Sequence, residues 1–240
     1  MLQVKNLAYT VRNGLGRRTD FRIGNVNFEL EQGYLMCLLG ENGSGKSTLL
    51  RLLYGLKKPD AGTVTWKGRE FGGAWEPEKA DFRREIAYVG EEDLFFCHNS
   101  IGENIDYFSD FYPGFSRKNF EGMLGDLGVD LTILDKPLGE ASTGERKLVQ
   151  QAFAIARGPR LLLLDEPGAN LDPVFRVSLM DILQRQIAKE EISVILSTHI
   201  LEDVEDVADY VGIMEAGNMK FFGDREKFAG QTGQGGTVWR

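Results

Sequence analysis

The stretch "GENGSGKST" at residues 40–48 constrains this chain more than any other part of it. It follows the apolar run "YLMCLL", which is typical of a strand covered on both faces, and it precedes a helical pattern that ends near Gly55. The spacing G-x-x-x-x-G-K-[ST] lets the backbone curl so that several N–H groups face one point at a helix N-terminus. We therefore predict a binding site for a nucleoside triphosphate in this loop.

The side chains of this loop have separate predicted tasks. Lys46 can reach the β- and γ-phosphates, the Ser47 hydroxyl can ligate Mg²⁺, and Thr48 can help to hold the α-phosphate. The positive end of the following helix adds to the attraction for phosphate. The predicted nucleotide-binding residues of the loop are Gly40, Glu41, Asn42, Gly43, Ser44, Gly45, Lys46, Ser47 and Thr48.

Two more motifs end apolar strands and indicate chemistry. "LLLLDEP" ends in Asp165 and Glu166, and "LSTH" ends in His199. Alone, each would be weak, because acids often end strands at a surface and a strand-end histidine often makes only a local hydrogen bond. In an open α/β sheet, however, the carboxyl ends of the strands meet at the ligand crevice. We predict that Asp165 holds Mg²⁺, that Glu166 polarises the attacking water, and that His199 contacts the γ-phosphate or the water. The predicted catalytic residues are Glu166, His199 and Lys46.

The remaining pattern predicts an α/β fold with a P-loop NTPase core and a mainly parallel sheet. The alternating stretches "LQVKNLAYTV" and "NVNFEL" predict an N-terminal antiparallel β lobe. Amphipathic, aromatic-rich sequence predicts an inserted α-helical subdomain at about 100–160. We expect further helices at 173–190 and 200–208, a hairpin that turns at "AGN", one domain over 1–230 and a flexible Gly-rich tail over 231–240.

Composition excludes some classes of function. The formal net charge of −8 argues against a nucleic-acid partner. Cys37 lies in an apolar strand and Cys97 in a polar loop, so a structural disulfide is not expected and a reducing cytosol is favoured. The first residues lack a signal-peptide pattern, and no stretch approaches the roughly 18 apolar residues of a membrane span. We expect a soluble protein that meets a membrane only through a partner.

Taken in order, the motifs resemble those of the ATP-binding subunits of ABC transporters over nearly the whole chain. "GENGSGKST" corresponds to Walker A, "STGER" to the signature, "LLLLDEP" to Walker B, "ANLD" to the D-loop and "STH" to the switch histidine. The resemblance implies a head-to-tail dimer in which each of two ATP molecules lies between one subunit's Walker A loop and the other's signature helix. It adds Ser142, Gly144 and Asp172 to the nucleotide-binding residues. Without the resemblance, Ser142 and Glu145 would be only a capping box at a helix start.

Some positions depart from the family pattern. The signature reads "ASTGE" where "LSGGQ" is usual, so Thr143 replaces a glycine. Glu91 stands where the family has its Q-loop glutamine, and it keeps a hard oxygen that Mg²⁺ favours. The alternative is that Glu91 points to solvent in an acidic loop. The predicted metal ligands are Ser47, Glu91 and Asp165.

Two features of the resemblance leave alternatives open. The position of the family's adenine-stacking aromatic falls on Val11, so either Tyr9 or Phe21 could supply the ring. "DLFF" at residues 93–96 could form the core of the helical insertion. One or two of its apolar side chains could instead line a groove that receives a helix of the permease.

The resemblance implies an ATPase that acts as a homodimer or with a paired subunit, uses ATP and Mg²⁺, and drives a separate integral membrane permease. It would lie in the cytoplasm, at the inner face of the cell membrane. The sequence "DFYPGFSRKNFEGML" and the degenerate signature resemble the small exporter-type group, so we expect an exporter. One alternative is an ABC-type ATPase not coupled to transport, which the acidic charge and the lack of a second cassette disfavour. The other is a module without turnover, which Glu166 and His199 disfavour.

Overall fold

A computed structural model describes residues 1–12, 14–15, 17–71, 84–169, 171–190, 192–200 and 207–232. Its strands are β1 (Leu2–Arg12), β2 (Arg18–Leu30), β3 (Leu35–Leu39), β4 (Ala61–Trp66), β5 (Arg69–Phe71), β6 (Ile86–Val89), β7 (Leu161–Asp165), β8 (Ser193–Thr198), β9 (Tyr210–Glu215) and β10 (Asn218–Asp224). The strands of these ranges form one sheet in the order β5-β4-β1-β2-β10-β9-β3-β8-β7-β6.

The N-terminal strands form the predicted antiparallel lobe. β1 pairs antiparallel with β2 and β4, and β4 pairs antiparallel with β5. Alternate side chains of β1 such as Leu2 and Val4 are buried, as the sequence pattern predicts. The prediction for β2 was too short, because the strand begins at Arg18 and not at Asn25. The pairing of Arg12 with Arg18 extends the ladder to the start of β2. In residues 18–24 only Phe21 and Ile23 are large and apolar, which is too few to show an alternation of apolar and polar residues.

The other half of the sheet is mainly parallel. β3 pairs parallel with β8 and β9, and β7 pairs parallel with β6 and β8. Every residue of β3, β7 and β8 is buried, which confirms the prediction from their continuous apolar runs. β9 and β10 form the predicted hairpin, with Ala216 and Gly217 at positive φ in its turn. The carboxyl ends of β3, β7 and β8 therefore lie along one edge of the sheet.

Helices flank this sheet, and three of them lie in the helical segment between β6 and β7. Ser100 and Ser142 each start a helix with a capping box, and the second confirms the predicted helix start. The helices are α1 (Lys46–Tyr54), α2 (Ile101–Ser109), α3 (Arg117–Asp126), α4 (Thr143–Ala156), α5 (Pro173–Glu190) and α6 (Arg225–Thr232). Most of the helix predicted at 200–208 lies outside the described residues, as does the predicted tail from 233 onward.

The aromatic residues around "DLFF" divide between core and surface. Phe95 is buried, with its ring centroid 5.4 Å from those of Phe108 and Phe153. Phe95 therefore belongs to the core of the helical segment. Four neighbouring side chains are exposed instead, and we call them the aromatic surface: Leu94, Phe96, Tyr107 and Phe111.

Two further predictions concern membranes and thiols. Among the described residues, no helix is both long enough and apolar enough to cross a bilayer. Cys37 is fully buried in β3, whereas Cys97 is exposed in the loop before α2.

Candidate functional site

The loop between β3 and α1 has the geometry that the glycine spacing predicts. Gly45 is the N-cap residue of α1 and has a φ of 108°, in the left-handed region. A Cβ on Gly45 would lie 2.6 Å from Cδ1 of Ile23, so a side chain would not fit. The buried Ser44 Oγ makes no hydrogen bond within the described ranges. A polar ligand at this loop would find a helix N-terminus and a hydroxyl that lacks a partner.

Lys46, the first residue of α1, turns back into the loop and also contacts Glu166, which follows β7. Its side chain is buried, and its Nζ donates hydrogen bonds to the carbonyl oxygens of Gly40 at 2.5 Å and Glu41 at 3.2 Å. Nζ also lies 3.2 Å from Oε1 of Glu166. That Oε1 is buried and accepts no hydrogen bond from the described residues, so the contact is ionic. The structure thus brings two predicted catalytic residues together.

Asp165 accepts hydrogen bonds from hydroxyl groups on three elements. Ser47 Oγ donates to its Oδ1 at 3.0 Å, and Ser197 Oγ donates to the same atom at 2.7 Å. Tyr88 OH donates to Oδ2 at 3.4 Å. Burial, with the Asp165 charge adding to it, raises the pKa of Tyr88 to about 12, so the phenol remains a donor. Two of the predicted metal ligands, Ser47 and Asp165, are therefore in direct contact.

Glu166 and His199 form a second pair beside the first. Oε2 of Glu166 lies 2.9 Å from Nδ1 of His199, and the Glu166 N–H donates to Ser197 Oγ at 2.9 Å. Glu166 has a φ of 48°, which is uncommon for a residue with a side chain. His199 is half exposed, so the pair faces an open cleft.

This cleft has a volume of about 300 Å³, and residues from the first and the last of the predicted motifs line it. Asn42, Glu91, Glu166 and His199 line it, together with Lys147 from α4. Burial lowers the pKa of the Lys147 ammonium group, and the charges of nearby carboxylates, Glu91 among them, partly offset this effect. Glu91 itself is exposed. Two acidic side chains, Glu91 and Glu166, thus meet the half-buried cation Lys147 in this cleft.

Three further predicted nucleotide-binding residues, from the signature and the D-loop, line a second cavity of about 670 Å³ between the start of α4 and the start of α5: Ser142, Gly144 and Asp172. The signature residue Thr143 lines both this cavity and the cleft at Glu166. Ser142 Oγ accepts from the N–H of Glu145 at 3.1 Å, and Glu145 Oε2 accepts from the N–H of Ser142 at 2.6 Å. Lys136 Nζ lies 3.3 Å from the same Oε2. One chain therefore does not gather all its predicted nucleotide-binding residues around one cleft.

The structure separates the two candidate rings for adenine. Tyr9 is buried in β1, and Lys57 Nζ lies over its ring at 5.6 Å. Phe21 is only half buried, and a Cβ on Gly45 would lie 3.2 Å from its Cζ. Phe21 is the better placed of the two, because its ring borders the loop.

Sequence reasoning did not single out Ser197, Tyr88 or Lys147. Ser197 precedes the "TH" of a motif already noted, and it pairs with Asp165 in the parallel register of β7 and β8. The strand order, had it been known, would have pointed to Ser197. Lys147 carried no signal, because it follows Glu145 and Arg146 in a charged run at the start of the predicted helix.

Comparison with known proteins agrees with this arrangement. The sequence model of the ABC transporter family matches residues 23–169, which include the loop and the Asp165–Glu166 pair. The chain belongs to the ABC transporter family. Within this family, it is 34% identical over 204 residues to the Fe(3+) ions import ATP-binding protein of Rhodococcus jostii (strain RHA1). That match covers 82% of this chain and only 56% of the relative, so the chain spans little more than half the length of that protein.

Other members of the ABC transporter family match over more of their length. The lantibiotic transport ATP-binding protein of Streptococcus pyogenes is 30% identical over 219 residues, which are 91% of this chain and 89% of the relative. A solved structure of an ATP-binding subunit of an ABC transporter is 29% identical and superposes with a TM-score of 0.79. That superposition covers 97% of this chain and 93% of the other, and it confirms the fold predicted from the sequence.

Proposed function

We propose that this chain binds ATP, hydrolyses it in a two-subunit assembly and drives a separate membrane permease. The observation that carries the proposal is the gathering of Lys46, Asp165, Glu166 and His199 at the carboxyl ends of β3, β7 and β8. Asp165 ends β7, Glu166 and His199 directly follow β7 and β8, and Lys46 follows the loop after β3. The sheet places these three strands side by side. The direct test is phosphate release from ATP by the purified chain, and its absence at any protein concentration would contradict the proposal.

The residues fit Mg²⁺ with a nucleotide. Mg²⁺ is commonly held by one or two carboxylates together with substrate phosphates, and Ser47 and Asp165 offer a hydroxyl and a carboxylate in contact. Within the described part of the chain, no group of three or more His, Cys, Asp or Glu residues could hold a metal alone. When bound, the ion would neutralise charge on the β- and γ-phosphates.

The chain's own residues would perform the remaining steps. The loop N–H groups and Lys46 bind the phosphates, and the ring of Phe21 is placed to stack on adenine. The Glu166 carboxylate accepts a hydrogen bond from a water and orients it toward the γ-phosphorus. His199 holds Oε2 of Glu166 in place at 2.9 Å. The water oxygen bonds to the γ-phosphorus, its proton passes to the Glu166 carboxylate, and the bond from that phosphorus to the β–γ bridging oxygen breaks to yield ADP and phosphate.

The position of Ser142, Gly144 and Asp172 supports a head-to-tail dimer. These signature and D-loop residues line a cavity next to the cleft at Glu166 and do not line that cleft themselves, whereas Thr143 borders both. A second copy of the chain, or a paired subunit, would bring such residues to the nucleotide held by the first. The N-terminus of α4 would then present N–H groups and a hydroxyl to the γ-phosphate.

The partner in the membrane would dock on the aromatic surface. Leu94, Phe96, Tyr107 and Phe111 are each more than half exposed, and the Phe96 and Tyr107 ring centroids lie 5.6 Å apart. Contiguous exposed apolar residues of this kind mark interaction sites. A permease helix that lies in this patch would place the protein at the inner face of the membrane.

We expect Phe96→Asp to abolish ATP-driven transport while basal ATPase activity stays within about twofold, because an exposed substitution leaves the fold largely unchanged. Transport and phosphate release are measured on the same reconstituted permease complex. Val177→Asp is the matched control, since Val177 is also an exposed apolar residue but lies on α5. A parallel loss of ATPase activity and folding in Phe96→Asp would assign Phe96 to the core instead.

Glu91 remains a predicted metal ligand. A carboxylate there would be repelled by a triphosphate unless Mg²⁺ lies between them. We expect Glu91→Ala to need clearly more Mg²⁺ for half-maximal ATPase activity, while Glu91→Gln stays active at low Mg²⁺. Three superimposable Mg²⁺ titrations would remove Glu91 from the site and leave it as the charge neighbour of Lys147.

Two directions of transport have support. Export is our proposal, because "DFYPGFSRKNFEGML" and the degenerate signature resemble the small exporter-type group. Import is the second candidate, because the relative with 34% identity is named for iron import. Vesicles with the cassette on the outside separate them, since an exporter would accumulate cargo inside such vesicles when ATP is added and an importer would not.

A further inference from the structure

Lys147 reaches the cleft from the second turn of α4. It is half buried, and its Nζ donates a hydrogen bond to the main-chain carbonyl oxygen of Glu166. A buried ammonium group is costly unless it finds acceptors, so this contact satisfies the lysine. Lys147 lines the same cleft as Glu166 and His199.

The backbone of Glu166 needs such a contact. Its φ of 48° lies in the left-handed region, which a residue with a Cβ occupies only when its surroundings hold it there. On one side, the Glu166 N–H donates to Ser197 Oγ of β8 at 2.9 Å. On the other side, the Glu166 carbonyl accepts from Lys147 and from the Ala169 N–H, the latter at 3.1 Å. Both backbone groups of this residue are therefore fixed by hydrogen bonds.

The direction of the carboxylate follows from that backbone. Rotation of the Glu166 main chain would move its side chain away from His199 Nδ1 at 2.9 Å and from Lys46 Nζ at 3.2 Å. Of the two groups that bind the carbonyl, Lys147 is the one that carries a charge. The nearby negative charges of Asp165, Glu166 and Glu91 stabilise that charged form, and Glu166 and Glu91 line the cleft with Lys147.

We propose that Lys147 is a positioning residue that holds Glu166 in its left-handed conformation and so aims the carboxylate at the attacking water. This inference rests on the proposed function of Glu166. Ser142 caps α4, and Gly144 and Lys147 lie within it. In the proposed dimer, the N-terminus of α4 would contact the nucleotide bound by the partner subunit. Lys147 of the same helix would position the Glu166 that acts on the nucleotide bound by its own subunit.

The test is a set of substitutions at Lys147. Lys147→Met keeps the stem and removes the donor, and we expect it to lower kcat about tenfold to a hundredfold, the effect of losing a charged hydrogen bond. The KM for ATP should change less than about twofold, since the phosphate loop is untouched. Lys147→Arg, which keeps donors and charge, should recover most of the rate. Lys118→Met removes an exposed lysine on α3 and should leave kcat unchanged.

A double variant separates positioning from general damage. If Lys147 acts through Glu166, Lys147→Met should slow a Glu166→Gln chain no further in single-turnover measurements. Full additivity of the two effects would overturn the inference, as would a matched loss of melting temperature and ATP affinity. A normal rate in Lys147→Met beside a slow Glu166→Gln would overturn the role of Lys147 alone. A normal rate in Glu166→Gln would overturn the proposed function itself.

Discussion

Glu166→Gln is expected to bind ATP and to turn it over more slowly by about two to four orders of magnitude, the usual contribution of a general base. Glutamine keeps the size of the side chain and a hydrogen-bonding oxygen. It cannot accept a proton or carry the charge that polarises a water. Nucleotide binding should persist, because the phosphate loop is unchanged and a negative charge near the triphosphate is removed.

The slowed variant should accumulate with ATP bound across two subunits. Size-exclusion chromatography with ATP and Mg²⁺ is expected to show a dimer for Glu166→Gln and a smaller dimer fraction for the unsubstituted chain. Glu226→Gln, an exposed substitution on α6, controls for the lost charge. Phosphate release at the normal rate from Glu166→Gln would remove the residue from the reaction.

Lys46→Ala is expected to lose ATP affinity by roughly tenfold to a hundredfold, which corresponds to the loss of charged hydrogen bonds to phosphate. Lys46 also donates to the carbonyl oxygens of Gly40 and Glu41, so the loop loses internal contacts as well. Titration with a fluorescent ATP analogue measures the affinity, and thermal unfolding shows whether the fold survives.

Lys58→Ala is the matched control for this second substitution, since Lys58 is exposed after the end of α1. Its ATP affinity should equal that of the unsubstituted chain. Equal ATP affinities for Lys46→Ala and Lys58→Ala would show that the loop does not bind phosphate through Lys46.

The positions of Lys46, Asp165, Glu166 and His199 could be predicted from the sequence because one physical rule connects them. Asp165, Glu166 and His199 lie at or just after the carboxyl end of a continuous apolar strand, and Lys46 ends the loop that follows another. Parallel strands place these ends along one edge. The capping pattern at Ser142 was equally readable, since it depends on residues three apart.

What could not be predicted depends on contacts between distant elements. Ser197 contacts Asp165 only because β7 and β8 are neighbours and pair in this register. The sequence of a strand does not predict which strand will be its neighbour. Lys147 meets the Glu166 carbonyl only because α4 crosses the end of β7. The choice of Tyr9 or Phe21 as the adenine ring depended on which of the two is buried. The assignment of Phe95 to the core and Phe96 to the surface also depended on burial, which the local sequence pattern does not predict for two adjacent aromatic residues.

The two thiols differ in a way that has a practical use. The sequence holds only Cys37 and Cys97, of which Cys37 is fully buried in β3 and Cys97 is exposed next to Phe96. A maleimide dye added to the folded, unsubstituted chain would therefore attach at Cys97, beside the aromatic surface. The change in emission of that dye could report the arrival of a permease in real time, without any engineered label.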